Sequence, residues 1–426
     1  MKFNSKLIHA GWDSDENSEG SITVPIYRTT AYQFNNTEHA ANLFGLKEFG
    51  NIYSRLGNPT VGALEARLTA LEEGAMCVAL ASGTSAVMYS LINIMSQGDN
   101  FVTANQLYGG TYTMFDNILP EYGINSKKVD ITDLEAVEAA IDEKTRAIYC
   151  ETITNPGLVV ADISALADIA HSKGIPLIVD ATFTTSAILK PFEYGADIVV
   201  YSLTKWMSGH GRVIAGAVIE KGGFDWGNGN FPLYDKPDTS YGGMRWGHDL
   251  GDLGNVAYSL RLRTVPLRNL GANMSPDTAF EVMSGLEILA LRMERHCENA
   301  IKAAEYLTEH ELVEWVRFPG LKDDPAYDLS EKYLKGTGGT MVVFGIKGGK
   351  DGGQKFIDNL KMFRHVANVG GTRSLAIHPA TTTHSQLNDD QLIEAGSPPE
   401  LIRLSIGIED IVDIIEDLSQ ALESTK

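Results

Sequence analysis

The sequence predicts an α/β fold, a mainly parallel sheet covered on both faces by helices, followed by a smaller α+β domain. Three features carry that reading. Up to about residue 270, short apolar runs alternate with amphipathic stretches, the pattern of repeated strand and helix units. Runs such as "IPLIVD" at 175–180 show no polar alternation, as expected of strands buried on both faces. Beyond residue 270 the periodicity becomes helical over a long stretch and then gives way to short strands, which marks a second unit.

The chain opens on a polar, irregular segment. A helix follows in "NPTVGALEARLTALEEG", with Asn58 as cap, Pro59 in the first turn, Leu64, Leu68 and Leu71 on one face, and Gly74 as the stop. Strands are expected at 76–81, 100–104, 146–151, 175–180 and 197–202, with helical segments between nearly all of them. Ser275 and Pro276 start the long helical stretch. Later strands fall at 313–318, 339–346 and 401–407, and Ile411, Ile414, Ile415 and Leu418 give a terminal helix its apolar face. The glycine-rich "GIKGGKDGG" reads as a surface turn. The resulting division is 1–58 as an N-terminal segment, 59–270 as the large α/β domain and 271–426 as the α+β domain.

With 426 residues, 43% of them hydrophobic and 21% charged, the chain is long enough for more than one core and has the composition of an ordinary globular protein. A formal net charge of -20 argues against wrapping nucleic acid or lying on anionic lipid. Cys77, Cys150 and Cys297 are far apart and show no CxxC spacing, so neither a disulfide framework nor a zinc site is expected, and the cytoplasm fits best. No apolar run approaches the roughly 20 residues of a membrane helix, and the first residues lack a signal-peptide core. His378 and His384 are the one tempting metal pair, but a six-residue separation in a loop without a carboxylate is poor ligand geometry, so no metal is expected.

Ligands of α/β sheets collect at the carboxyl ends of strands. Four such ends carry chemistry. In "ALASGTSAVMYSLI" a strand runs through Ser82, Gly83 and Thr84 into a helix, whose free amides suit a phosphate. Asp180 closes "GIPLIVD", where a carboxylate is costly unless it meets a cation or strong donors; the bland alternative is a helix cap. In "YSLTKWMSGHG", Ser202 and Thr204 point to one side if the chain is extended, Leu203 to the other, and Lys205 follows. Asn155 lies beyond the strand at 146–151 and so near the same rim. Phosphate donors, an acid, an amine and an amide at one sheet edge match the needs of pyridoxal 5'-phosphate: a lysine to hold its aldehyde, an acid for its ring nitrogen, and a helix start with hydroxyls for its phosphate. Absence of a GxGxxG fingerprint argues against a nicotinamide oxidoreductase.

Across essentially its whole length the sequence resembles the Cys/Met-metabolism pyridoxal-phosphate enzymes. "DIVVYSLTKWMSGHG" is similar to that family's lysine signature, with Leu203 in place of the usual small residue. The resemblance implies the pyridoxal-phosphate transferase fold of the aspartate aminotransferase type (fold type I), with 1–58 as an arm reaching a neighbouring subunit. It implies that Tyr53 and Arg55 of "YSRLGNPT" bind the neighbour's phosphate, so that a homotetramer is built from dimers sharing active sites. Tyr108 is expected to stack on the cofactor ring and relay protons, Arg403 to grip the substrate carboxylate, and Ser374, with Asn155, to help orient the substrate. Lys205, Asp180, Tyr108 and Arg403 together argue against a non-catalytic binding or regulatory protein.

Within the family, the segment 221–276 and the strings "LRMERHCENA" and "HPATTTHSQL" resemble the O-acetylhomoserine sulfhydrylase branch. Gly242 stands where a histidine is common in that branch, and Gly110 where methionine γ-lyases carry a cysteine. The resemblance implies γ-replacement on O-acetyl-L-homoserine, with free sulfide, a small thiol or a sulfur-carrier protein as donor. A γ-lyase or a cystathionine-processing enzyme of the same family is the alternative.

Overall fold

The computed structural model describes the chain apart from residues 16–18, 384, 386–387 and 395. Among the described residues two sheets form. The larger contains β1 (Met76–Leu80), β2 (Asn100–Ala104), β3 (Asn125–Val129), β4 (Thr145–Glu151), β5 (Leu177–Asp180), β6 (Ile198–Tyr201) and β7 (Gly216–Glu220), in the order β1-β7-β6-β5-β4-β2-β3. Neighbours are parallel except at β7, which runs antiparallel to both β1 and β6. Strands β2, β4, β6 and β7 are buried along their whole length, which is why β2, β4 and β6 read as mainly apolar runs.

Two strands of this sheet have no counterpart in the sequence reading. β3 is "NSKKV", an edge strand whose lysines suit the solvent side, and β7 is the short "GAVIE". The smaller sheet contains β8 (Val313–Arg317), β9 (Met341–Ile346), β10 (Arg364–His365), β11 (Leu375–Ile377) and β12 (Leu401–Ser405), in the order β10-β11-β12-β9-β8. The helix Ile411–Glu423 covers it, with Ile414 and Leu418 fully buried.

Local corrections have physical reasons. The helix Pro59–Glu72 is capped by Asn58, but the left-handed residue that ends it is Glu73, held by Lys6 and Lys190. Gly74 instead gives passage, since a side chain there would strike Ile219 and the Glu220 carbonyl. "GIKGGKDGG" is not only a turn: the helix Gly349–Asn359 begins inside it, and a methyl group at Gly353 would meet the His378 ring. Part of the N-terminal segment is anchored on its own chain: Leu7 is buried, and Arg67 donates to the carbonyls of Ala10 (2.9 Å) and Ile8 (3.1 Å).

Candidate active site

The parallel strands β4, β5 and β6 end side by side, and each delivers polar groups to one rim. Asp180 closes β5. Its Oδ1 accepts the Thr182 amide at 2.9 Å and its Oδ2 the Tyr149 hydroxyl at 3.4 Å, so the acid both caps the following turn and faces the cavity. Glu151 closes β4 directly opposite Asp180. Burial pushes both carboxyls above the usual range, and the neighbouring Asp180 pushes Glu151 further. Glu151 Oε1 accepts the Tyr108 amide at 2.8 Å, which fixes the base of a half-exposed tyrosine. A side chain at Gly110 would strike the Tyr108 ring, so glycine is what this ring position permits.

β6 leads into the lysine turn. The chain does not stay extended after Tyr201; the Lys205 amide bonds back to the Ser202 carbonyl at 3.2 Å, and the turn, not strand alternation, brings Ser202 and Thr204 to the cavity while Leu203 is fully buried. Burial first, and the nearby Arg403 second, pull the Lys205 amine down to about 8. Its Nζ donates to Asn368 Oδ1. Space left by Gly209 is filled by the Arg292 guanidinium, not by a ligand.

Beyond β1, Ser82 caps the helix Gly83–Ile92 through the Ser85 amide at 3.0 Å, leaving the first-turn amides of Gly83 and Thr84 outside the helix ladder. Gly83 lets this helix start touch the lysine turn, since a Cβ there would lie 2.5 Å from that of Ser202. From the smaller sheet, β12 contributes Arg403. Its Nη1 donates to Asn155 Oδ1 at 2.8 Å and its Nη2 to the Asn368 carbonyl at 3.5 Å, and burial lowers its pKa to about 10.

These elements enclose a cavity of about 260 Å³ that brings together Ser82, Gly83, Thr84, Tyr108, Asn155, Asp180, Ser202, Thr204, Lys205 and Arg403. A larger cleft of about 720 Å³ lies beside Thr185–Ile188 and the helix Leu289–Thr308, and none of these groups lines it. Ser374 is not brought to the cavity. It is fully buried, and its hydroxyl is spent on Glu409 Oε2 and the Gly407 amide, both at 2.9 Å, because the turn after β12 needs those bonds. Tyr53 and Arg55 also lie outside this lining; Arg55 sits over the Tyr53 ring and donates to the Arg268 carbonyl at 2.9 Å. Both nitrogens of His378 are engaged, by Thr381 and the Pro399 carbonyl, while His384 lies outside the described residues. No group of three metal-ligating side chains occurs among the described residues.

Glu151, Thr182 and Asn368 are polar lining residues that the sequence reading does not single out. Glu151 carried the same signal as Asp180, an acid ending an apolar run. Neither Thr182, whose hydroxyl receives the Ser202 amide at 2.8 Å, nor Asn368 gave a signal in the sequence.

The donor set fits pyridoxal phosphate. Two buried carboxyls with no cation partner among the described residues await a positive group such as a protonated ring nitrogen. A helix start and the Ser202 and Thr204 hydroxyls suit a phosphate, and an amine with a lowered pKa suits an aldehyde.

Residues 4–423 match the family described as Cys/Met metabolism PLP-dependent enzyme. The chain belongs to this family. An O-acetyl-L-homoserine sulfhydrylase of Leptospira meyeri is 46% identical, the match covering all of this chain and 97% of the relative. A homocysteine synthase of Schizosaccharomyces pombe is 45% identical over 99% of this chain and 98% of the relative. A crystal structure of an O-acetylhomoserine (thiol)-lyase from Campylobacter jejuni superposes with a TM-score of 0.95 at 39% identity, covering 99% of this chain and all of that one. It carries N'-pyridoxyl-lysine-5'-monophosphate at its position 205. The fold is therefore the mixed, mainly parallel α/β architecture of a pyridoxal-phosphate enzyme. Among the described residues, no helix is long and apolar enough to cross a membrane.

Proposed function

We propose that the protein catalyses γ-replacement on O-acetyl-L-homoserine, converting it with sulfide or another sulfur donor to L-homocysteine and acetate. The observation that carries this reading is one cavity holding Lys205, Asp180 and Arg403, in a chain 45–46% identical to named sulfhydrylases and homocysteine synthases.

Lys205 would hold the cofactor, Asp180 its ring nitrogen, and Ser82, Gly83, Thr84, Ser202 and Thr204 its phosphate. Pyridoxal phosphate bound there supplies an electron sink conjugated to the substrate α carbon. Arg403 binds the α-carboxylate with its planar fork, kept in plane by Asn155. Lys205, freed by the substrate amine, takes the proton from Cα. A pKa near 8 makes it a competent base at neutral pH and an acid once charged. Once Lys205 has passed that proton on, a second proton moves from Cβ to its amine, and the Cγ–O bond breaks to release acetate. The sulfur donor loses its proton and bonds to Cγ, and protons return to Cβ and then Cα to give L-homocysteine. Tyr108, hung over the cavity from Glu151, controls protons beside the leaving group.

Tyr53 and Arg55, which do not line the cavity of their own chain, would serve a neighbouring copy's phosphate in an active-site-sharing dimer, and two such dimers would make the homotetramer. A sulfur-carrier protein remains an admissible donor beside sulfide. Three buried, unpaired cysteines support a cytoplasmic setting.

Kinetics of the cofactor-loaded protein on O-acetyl-, O-succinyl- and O-phosphohomoserine, with and without sulfide, test the reading. Homocysteine should form fastest from the acetyl ester and only with sulfide present. Release of a keto acid as main product without sulfide would replace it with a γ-lyase.

A further inference from the structure

The helix Leu289–Thr308 carries Arg292, His296 and Asn299 on one stripe, and all three are buried. A helix that merely closed a core would place apolar residues there, because burying a guanidinium, an imidazole and an amide costs free energy unless each finds strong partners. Their partners are main-chain carbonyls in three places. Arg292 donates to Trp206 O (2.8 Å), Met207 O (3.3 Å) and Gly285 O (2.8 Å). His296 Nδ1 donates to Ile406 O at 2.7 Å, and Asn299 Nδ2 to Gly407 O (3.1 Å) and Glu409 O (2.9 Å).

Trp206 and Met207 directly follow Lys205, Gly285 belongs to the neighbouring helix Pro276–Leu286, and Ile406, Gly407 and Glu409 follow the strand that carries Arg403. The partners of Arg292 among the described residues are carbonyls and not carboxylates, and burial lowers its pKa to about 10. The fold keeps room for it: Gly209, at φ +71°, is the one residue type that avoids its guanidinium. A Cβ at Gly370 would lie 2.8 Å from the Trp206 amide, and one at Gly285 would overlap the Ser208 carbonyl, so the lysine turn is gripped from three sides.

We propose that Arg292, His296 and Asn299 form a rigid gauge that sets Lys205 against Arg403, Arg292 positioning the lysine turn and Asn299 the strand of the carboxylate-binding arginine. The inference rests on the roles given above to Lys205 and Arg403. A single amino-acid substrate must meet the lysine end with its amine and the arginine end with its carboxylate. The helix spans the two attachment points by roughly 10 Å at 1.5 Å per residue, without a flexible joint.

The test uses cofactor-loaded Arg292→Met and Asn299→Leu, read by kcat, KM, melting temperature, cofactor absorbance across pH, and the rate at which stripped protein takes up pyridoxal phosphate. Arg292→Met should lower kcat by about 30-fold, on the scale of a misplaced reacting group, and alter absorbance and uptake while KM changes little. Asn299→Leu should raise KM about 10-fold, equivalent to one lost charge-assisted contact, with absorbance and uptake unchanged. Arg292→Lys, keeping charge and one donor, should recover part of the loss, and it is read in place of Arg292→Met if the latter does not fold. Variants that lose only melting temperature, or that alter the same parameters alike, overturn the gauge. Hydride trapping on the unaltered protein separates the two claims. A label away from Lys205 sinks the underlying reading, whereas a label at Lys205 with indistinguishable variants sinks the gauge alone.

Discussion

Replacing Glu72 by glutamine should make the protein's stability less dependent on pH. Glu72 ends the helix Pro59–Glu72, is 1% exposed, and accepts the hydroxyl of Tyr201, the last residue of β6 before the lysine turn. Burial raises its pKa from 4.5 to about 7 against the opposing pull of Tyr201 and Lys190. An acid raised on folding keeps its proton in the native chain while the unfolded chain ionises, so stability falls as pH rises from about 4.5 and levels off above about 7. The displacement corresponds to about 3 kcal/mol at pH 8 and about 1 kcal/mol at pH 5. Glutamine, which cannot ionise, removes that slope. Denaturant unfolding followed by tryptophan fluorescence should show the variant gaining about 2 kcal/mol on the parent between pH 5 and pH 8. Glu220, also raised to about 7, leaves a residual slope in both proteins. A gap between variant and parent that is constant across this range would refute the reasoning.

Arg403→Lys, which replaces a buried fork by a point charge, should raise KM for the amino-acid substrate about 100-fold with the cofactor spectrum intact, as checked by steady-state kinetics. Asn368→Ala removes the acceptor for Lys205 Nζ and should lower kcat about 10-fold, the scale of one hydrogen bond. Gly83→Ala forces the helix start away from Ser202 and should weaken cofactor affinity measured by equilibrium dialysis, by about 10-fold or more.

The sheet was legible where burial on both faces made its strands uniformly apolar, as at "IPLIVD" and "DIVVYS"; the polar edge strand β3 and the two-residue β10 carry no such signal. Asp180 and Lys205 were legible because a charge at the end of an apolar run needs a reason. Glu151, at the end of β4, meets the same criterion. Asn368 lies in a loop that only tertiary packing carries to the lysine, and the role of Gly209 depends on Arg292, 83 residues further along the chain, so local pattern could reveal neither. Ser374 shows the converse: a hydroxyl at a suggestive place in sequence is engaged by the turn that holds it.

The central claim, that Lys205 carries the cofactor, is tested most directly by reducing the pyridoxal-phosphate-loaded protein with borohydride and mapping its peptides. The account predicts a single pyridoxyl label on the peptide containing Lys205, lost in a folded Lys205→Ala variant. A label on any other lysine, or none, contradicts it.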